Sequence, residues 1–149
     1  GTAFTIYLPL AAGTPVPLTP QPRVVEPGHE TVLVVDDDAD IRKVLKRALT
    51  FAGYEVLLAA DGREALDVLD RENGRVRLVL TDVMMPGIGG RELAERVRTG
   101  YPPVRILFSS GYAENAIAHH GVLAEGVQFI AKPYSLQALT RKVREVLDA

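Results

Sequence analysis

A chain of 149 residues has room for one domain with a proper core plus an appendage, and its 47% apolar and 24% charged residues are the balance of a globular protein. Its net charge of -2 and isoelectric point near 5.9 lack the basic excess of nucleic-acid readers, so no nucleic-acid partner is expected. The lack of cysteine excludes disulfides and thiolate metal sites, and without a basic signal-peptide start or an apolar run near the ~20 residues of a membrane span, a cytoplasmic location without membrane contact is expected.

At the N-terminus, Phe4, Ile6 and Leu8 alternate with Thr5 and Tyr7, the period-2 pattern of a half-buried strand. Six of the ten prolines then fall between Pro9 and Pro27, where missing amide protons and fixed φ angles forbid both helix and central strand. Residues 11–29 therefore read as a linker, with 1–10 as the end of a preceding unit and 30–149 as a domain of its own.

From Thr31 onward, short apolar runs alternate with helical periodicity, the mark of βα units around a parallel sheet. Five units are predicted, with strands at Val32 to Val35, Glu55 to Ala59, Leu78 to Thr81, Arg105 to Phe108 and Val127 to Ala131, each followed by a helix. The first helix carries Ile41, Val44, Leu45, Ala48 and Leu49 on one face and ends at Gly53. The second starts at Asp61 with Glu64 three residues on, a capping-box variant, buries Ala65, Val68 and Leu69, and breaks at Asn73-Gly74. The last starts at Ser135 and presents Leu136, Leu139, Val143, Val146 and Leu147. Right-handed crossovers put helices on both faces of such a sheet, and ligands at the carboxyl ends of its strands.

Chemistry is concentrated at those ends. Asp36 and Asp37 follow the first strand, Asp82 the third, Ser109 and Ser110 the fourth, and Lys132 the fifth. Each has an ordinary reading alone. Acidic residues before a helix are commonly caps, as Asp38 and Asp40 are read here, while a lone Asp before Met85-Pro86-Gly87, Ser-Gly and Lys-Pro all occur in turns. Their shared polarity on four strands is what independent caps and turns rarely produce. Together they make one pocket whose hard oxygen donors suit Mg²⁺ shared with a phosphate. The glycines of PGIGG lack the Lys-Ser/Thr ending of a P-loop, so nucleotide is not expected there. His119 and His120 read as a solvated or partly buried pair rather than ligands.

These residues resemble the receiver domain of two-component response regulators over about residues 30 to 149. The resemblance rests on VLVVDD with Arg42 five residues after Asp37, LVLTDVMMPG, FSSG and FIAKPY, in order and spacing. It implies a flavodoxin-like (βα)5 three-layer sandwich with strand order 2-1-3-4-5. By the same resemblance, Asp82 is the phosphorylation site. Asp37, Asp82 and the Met84 backbone carbonyl would ligate Mg²⁺, with Asp36 acting partly through metal-bound water. Ser110, rather than Ser109, would bind a phosphoryl oxygen, Lys132 would pair with the phosphoryl group or Asp82, and Phe129 would be the rotating switch residue ahead of a cis bond to Pro133. Met84 and Tyr112 stand where water access is controlled, and their bulk implies slow dephosphorylation. Gly89 departs from the Asp many members carry, while Gly90 is retained.

GTAFTIYLPL resembles the last strand of the ATP-binding domain of histidine kinases. The parent would then be a hybrid histidine kinase, and this fragment a phosphoacceptor that promotes its own phosphorylation. Its partners would be the kinase's dimerisation and phosphotransfer domain and a histidine phosphotransfer protein. Two other classes share parts of the pattern. An aspartate-nucleophile phosphatase of the haloacid dehalogenase kind wants a second Asp two residues after the nucleophile, where Met84 stands. A pseudo-receiver, binding partners without phosphate, fits poorly with an intact Asp36, Asp37, Asp82, Ser110 and Lys132.

Overall fold

The computed structural model describes residues 28–111 and 128–149. The predicted N-terminal strand, the linker as far as Pro27, Tyr112, the fourth predicted helix and the pair His119 and His120 lie outside the described residues. Five strands, β1 (Thr31–Val35), β2 (Glu55–Ala59), β3 (Val76–Asp82), β4 (Arg105–Ser110) and β5 (Gln128–Ala131), form one sheet in the order β2-β1-β3-β4-β5. Every neighbouring pair is parallel, as expected. The register carries Val35 beside Thr81 and Asp82 beside Ser109, so successive strands end at the same edge.

Four helices are described: α1 (Ala39–Phe51), α2 (Gly62–Glu72), α3 (Gly90–Gly100) and α4 (Leu136–Asp148). Val32 and Val34 of β1 point into one apolar layer with Leu45 and Leu49 of α1 and Leu139 and Val143 of α4. Leu33 and Val35 point into the other, with Val68 and Leu69 of α2 and Leu93 and Val97 of α3. A sheet covered on both faces needs apolar residues at consecutive positions, which is why the strands read as continuous apolar runs. Among the described residues no helix is long and apolar enough to cross a membrane.

The helix ends carry their own signals. At α1, Asp38 is the N-cap, its carboxylate accepting the amides of Asp40 and Ile41. The same helix closes when Gly53, at φ 97°, donates its amide to Thr50 O and Tyr54 donates to Leu49 O. Those two bonds make a Schellman closure, with Tyr54 and Leu49 both in the core. Asp61 caps α2 by accepting the Glu64 amide, while the Glu64 carboxylate reaches back to the amide of Ala60. Asn73 at φ 42° and Gly74 at φ 85° end α2, and Ser135 caps α4 through the amide of Ala138.

Two differences concern extent and facing. Strands β3 and β4 run through Asp82 and Ser110, because ladder pairing continues past the apolar run. Val44 and Leu136, assigned to buried faces by their spacing, are 53% and 48% exposed. Periodicity gives the direction of a face but not the reach of the neighbouring helix, and between α1 and α4 an open groove remains.

Candidate functional site

The carboxyl edge of the sheet gathers Asp36, Asp82 and Lys132 into one half-enclosed group. Lys132 follows β5, and its Nζ donates to Asp82 Oδ2 at 2.6 Å and to Asp36 Oδ2 at 3.4 Å. The side chains of Asp36 and Asp82 are only 4% and 16% exposed, so these charges meet with little water between them. Burial alone would lower the Lys132 pKa. The hydrogen bond to Asp82 and the charges of Asp82 and Asp36 outweigh it, and the ammonium is held above the ordinary lysine value.

Backbone groups fix the two acids. Asp82 Oδ1 accepts the Met84 amide at 2.9 Å, so both oxygens of this carboxylate are engaged and its plane is set. Its own carbonyl accepts the hydroxyl of buried Thr81. Asp36 Oδ1 accepts the Asp38 amide at 2.9 Å, and Arg42 Nη1 donates to the Asp36 carbonyl at 2.5 Å. Gly90 closes the site from behind: a Cβ there would lie 2.1 Å from the Asp82 carbonyl oxygen, so only glycine lets α3 start against that backbone. Gly89 precedes it as an N-cap that supplies no side-chain bond.

The other residues singled out by sequence sit around this group. Asp37 is exposed and takes part in no hydrogen bond among the described residues. Ser109 and Ser110 are both buried. Ser109 Oγ lies 3.0 Å from the Tyr134 hydroxyl, while the Ser110 carbonyl accepts the Lys132 amide at 2.8 Å and so ties β4 to the base of the lysine. The Lys132-Pro133 bond is cis, as expected. Phe129 is partly buried against Val83, Ala94 and Phe108, on the α3 side of the sheet. Met84 is 68% exposed beside Asp82. Sequence reasoning missed the support given by Tyr134 and gave Arg42 no task. The signals for the latter were its place five residues after Asp37 in the motif and one helical turn after the Asp38 cap.

Among the described residues no three acidic or histidine side chains close on a common point. The donor chemistry nonetheless fits a hard divalent cation. Two carboxylates already converge on one cationic centre, a third stands unengaged next to them, and Mg²⁺ needs few protein carboxylates because it keeps several waters.

The sequence matches the response regulator receiver domain family over residues 32–144. The chain belongs to this family. The sensor kinase CckA of Brucella abortus is 36% identical over an alignment that takes in 99% of this chain and 17% of that protein. Among solved structures, the receiver domain of the hybrid histidine kinase CckA is 36% identical, with a TM-score of 0.66 over 78% of this chain and 98% of that one. The Thermotoga maritima response regulator TrrA, solved in complex with Mg²⁺ and BeF, is 31% identical, with a TM-score of 0.68 over 79% and 99% of the two chains. The receiver spans about half the length of regulators such as MprA, and far less of the kinase. Two other longer relatives are named as transcriptional regulators, so the expectation of no nucleic-acid partner concerns these 149 residues alone.

Proposed function

We propose that this receiver accepts a phosphoryl group from a phosphohistidine onto Asp82. The observation that carries the reading is Asp82 itself, a mostly covered carboxylate oriented through both oxygens, by the Met84 amide and by Lys132 Nζ. A phosphorylated imidazole is already a reactive donor, so most of the task is positioning and charge stabilisation. An Asp82 oxygen attacks phosphorus in line, the phosphorus–nitrogen bond breaks, and the imidazole leaves with that electron pair. Asp37, Asp82 and the Met84 carbonyl would hold Mg²⁺, with Asp36 acting partly through its waters. The ion supplies charge neutralisation for the transferring group.

Lys132, freed from Asp82 Oδ2 as that carboxylate becomes an acyl phosphate, turns its ammonium to a phosphoryl oxygen. Ser110 supplies a hydroxyl to another; Ser109 Oγ lies 3.0 Å from the Tyr134 hydroxyl. As Ser110 moves toward the phosphoryl group, Phe129 turns inward against Val83 and Phe108, and the surface around β5 and α4 changes its packing. Exposed Met84 stands over the acyl phosphate and slows its hydrolysis.

The full chain is read as the C-terminal piece of a hybrid histidine kinase: residues 1–10 end its ATP-binding domain, 11–29 form the linker and 30–149 the receiver. Support comes from the kinase alignment, which takes in nearly the whole chain and not only the receiver. The donor is then the kinase's own phosphohistidine and the acceptor downstream a histidine phosphotransfer protein, both in the cytoplasm. Incubation with Mg²⁺ and acetyl phosphate, followed by intact-mass measurement, tests the chemistry. One phosphate on the wild type, none on Asp82→Asn and none after chelation is the expected result. No adduct under any metal condition would leave a phosphate-independent binding module, and steady phosphate release without an adduct would make it a phosphatase.

A further inference from the structure

We propose that the amino edge of the sheet carries a second anion site, built around Arg77 and Arg105, that takes a small phosphate monoester. It stands apart from the phosphoacceptor pocket. Arg77 and Arg105 come five residues before Asp82 and Ser110 on β3 and β4, which puts them about 16 Å away at the opposite end of the same two strands. Both line one open pocket of about 410 Å³, together with Glu30, Pro102, Pro103 and Leu147. A concavity of that volume falls within the range of small-ligand sites.

The strand register brings the two arginines together. Thr31 of β1 pairs with Val76 but Val32 pairs with Leu78, so Arg77 is the extra residue of a bulge, and a bulge re-aims the side chain it carries. On the other side of β3, Arg105 pairs with Leu78, the residue next to Arg77. Both arginines are exposed, and neither guanidinium bonds a carboxylate or a carbonyl oxygen among the described residues. The neighbouring charges are already matched: Glu30, the one acid of the lining, has both oxygens taken by Arg144, and Arg75 is bound to Glu55 and Glu72. Two uncompensated guanidiniums equal the two charges of a phosphate monoester, and their forked N–H groups suit its oxygens. Pro102 and Pro103 lie within a turn closed by the Val104 amide on Tyr101 O at 2.9 Å, so with half-buried Leu147 they give the pocket a stiff apolar wall. That wall has room for the organic part of an ester, which inorganic phosphate would leave empty.

Phenyl phosphate is the probe, added to the full chain in chelator at pH 8, where a phosphate monoester with its second pKa of about 6 carries both charges. Followed by ¹⁵N NMR, it should shift the amides around Arg77, Arg105 and Leu147 and the Nε–H groups of the two arginines. Arg77→Gln and Arg105→Gln, both at exposed positions, should each weaken binding at least about tenfold, and exchanging the probe for singly charged phenyl sulfate should do the same. Inorganic phosphate should also bind more weakly than the ester. Arg98→Gln removes a charge from the last turn of α3, outside the pocket, and should leave the affinity unchanged. Equal losses in all three variants would reduce the effect to overall charge and overturn the proposal. Shifts confined to the surroundings of Lys132 would overturn it too, by assigning the ester to the phosphoacceptor pocket, as would the lack of any saturable shift.

Discussion

Lys132 holds two carboxylates that would otherwise face each other across a mostly dry pocket. Asp36 is almost fully covered, and its second oxygen is occupied by the Asp38 amide, so it has no route to water if the ammonium is removed. Lys132→Met is therefore expected to lower stability in chelator by about 1–3 kcal/mol, the cost of leaving a buried charge uncompensated. Added Mg²⁺ should recover part of that loss and raise the melting temperature of the variant more than that of the wild type, whose lysine already neutralises the pair. Equal stabilisation of both by Mg²⁺ would mean that the ion does not share the lysine's place. The two serines separate in the same way. Ser109→Ala should cost only its bond with Tyr134 and leave the acyl-phosphate yield near wild type, while Ser110→Ala should slow adduct formation, as read by intact mass against time. The acids and the lysine were legible because each directly follows an apolar strand. Tyr134 was not, since its partner lies 25 residues away and nothing local in Lys-Pro-Tyr marks a tyrosine that bonds a serine on the neighbouring strand.

Helix α3 shows how an element is set by its first two residues. Gly90 is obligatory because its Cβ would strike the backbone of Asp82, so Gly90→Ala is expected to destabilise the fold and disorient the carboxylate together. Gly89 is different. Its φ of -70° suits any residue, and a Cβ there meets only the Val83 and Met85 carbonyl oxygens at ordinary contact distances of 3.6 and 3.7 Å. Gly89→Asp should therefore supply the missing N-cap and raise stability by a few tenths of a kcal/mol in urea denaturation, with the fold unchanged. A loss of stability would mean that the added carboxylate is repelled by those carbonyls. Caps and closures of this kind were the most legible part of the fold: Asp61 with Glu64, Asn73-Gly74 and Ser135 each act through bonds within a few residues. The exposure of Val44 and Leu136 was not legible, because burial depends on how far α4 stands from α1, and neither helix encodes that separation in its own period.

At the scale of the whole molecule, the first and last described elements are joined by one clasp. Glu30, just ahead of β1, accepts a forked pair of bonds from Arg144 of α4, at 2.7 and 3.1 Å, and both side chains are largely covered. Arg144 also reaches Asp148, whose side chain is 64% exposed and adds little. The bond from Arg144 holds the Glu30 carboxyl near pKa 2, against an ordinary value of 4.5, and the guanidinium is stabilised in its charged form in turn. A depressed carboxyl stabilises the folded chain above its unfolded pKa, and that contribution is lost as pH falls toward the folded value. The window therefore runs from about pH 4.5 down to about 2, and the full contribution is on the order of 3 kcal/mol. Comparing Glu30→Gln with the wild type in urea at several pH values isolates it, because every other ionisable group is common to both proteins and cancels in the difference. The variant should be the less stable by roughly that amount at pH 7. The two stabilities should then converge as the pH drops through the window, whereas a gap that stays constant from pH 7 to pH 3 would assign the loss to packing around Tyr54 and Leu147 rather than to the ion pair.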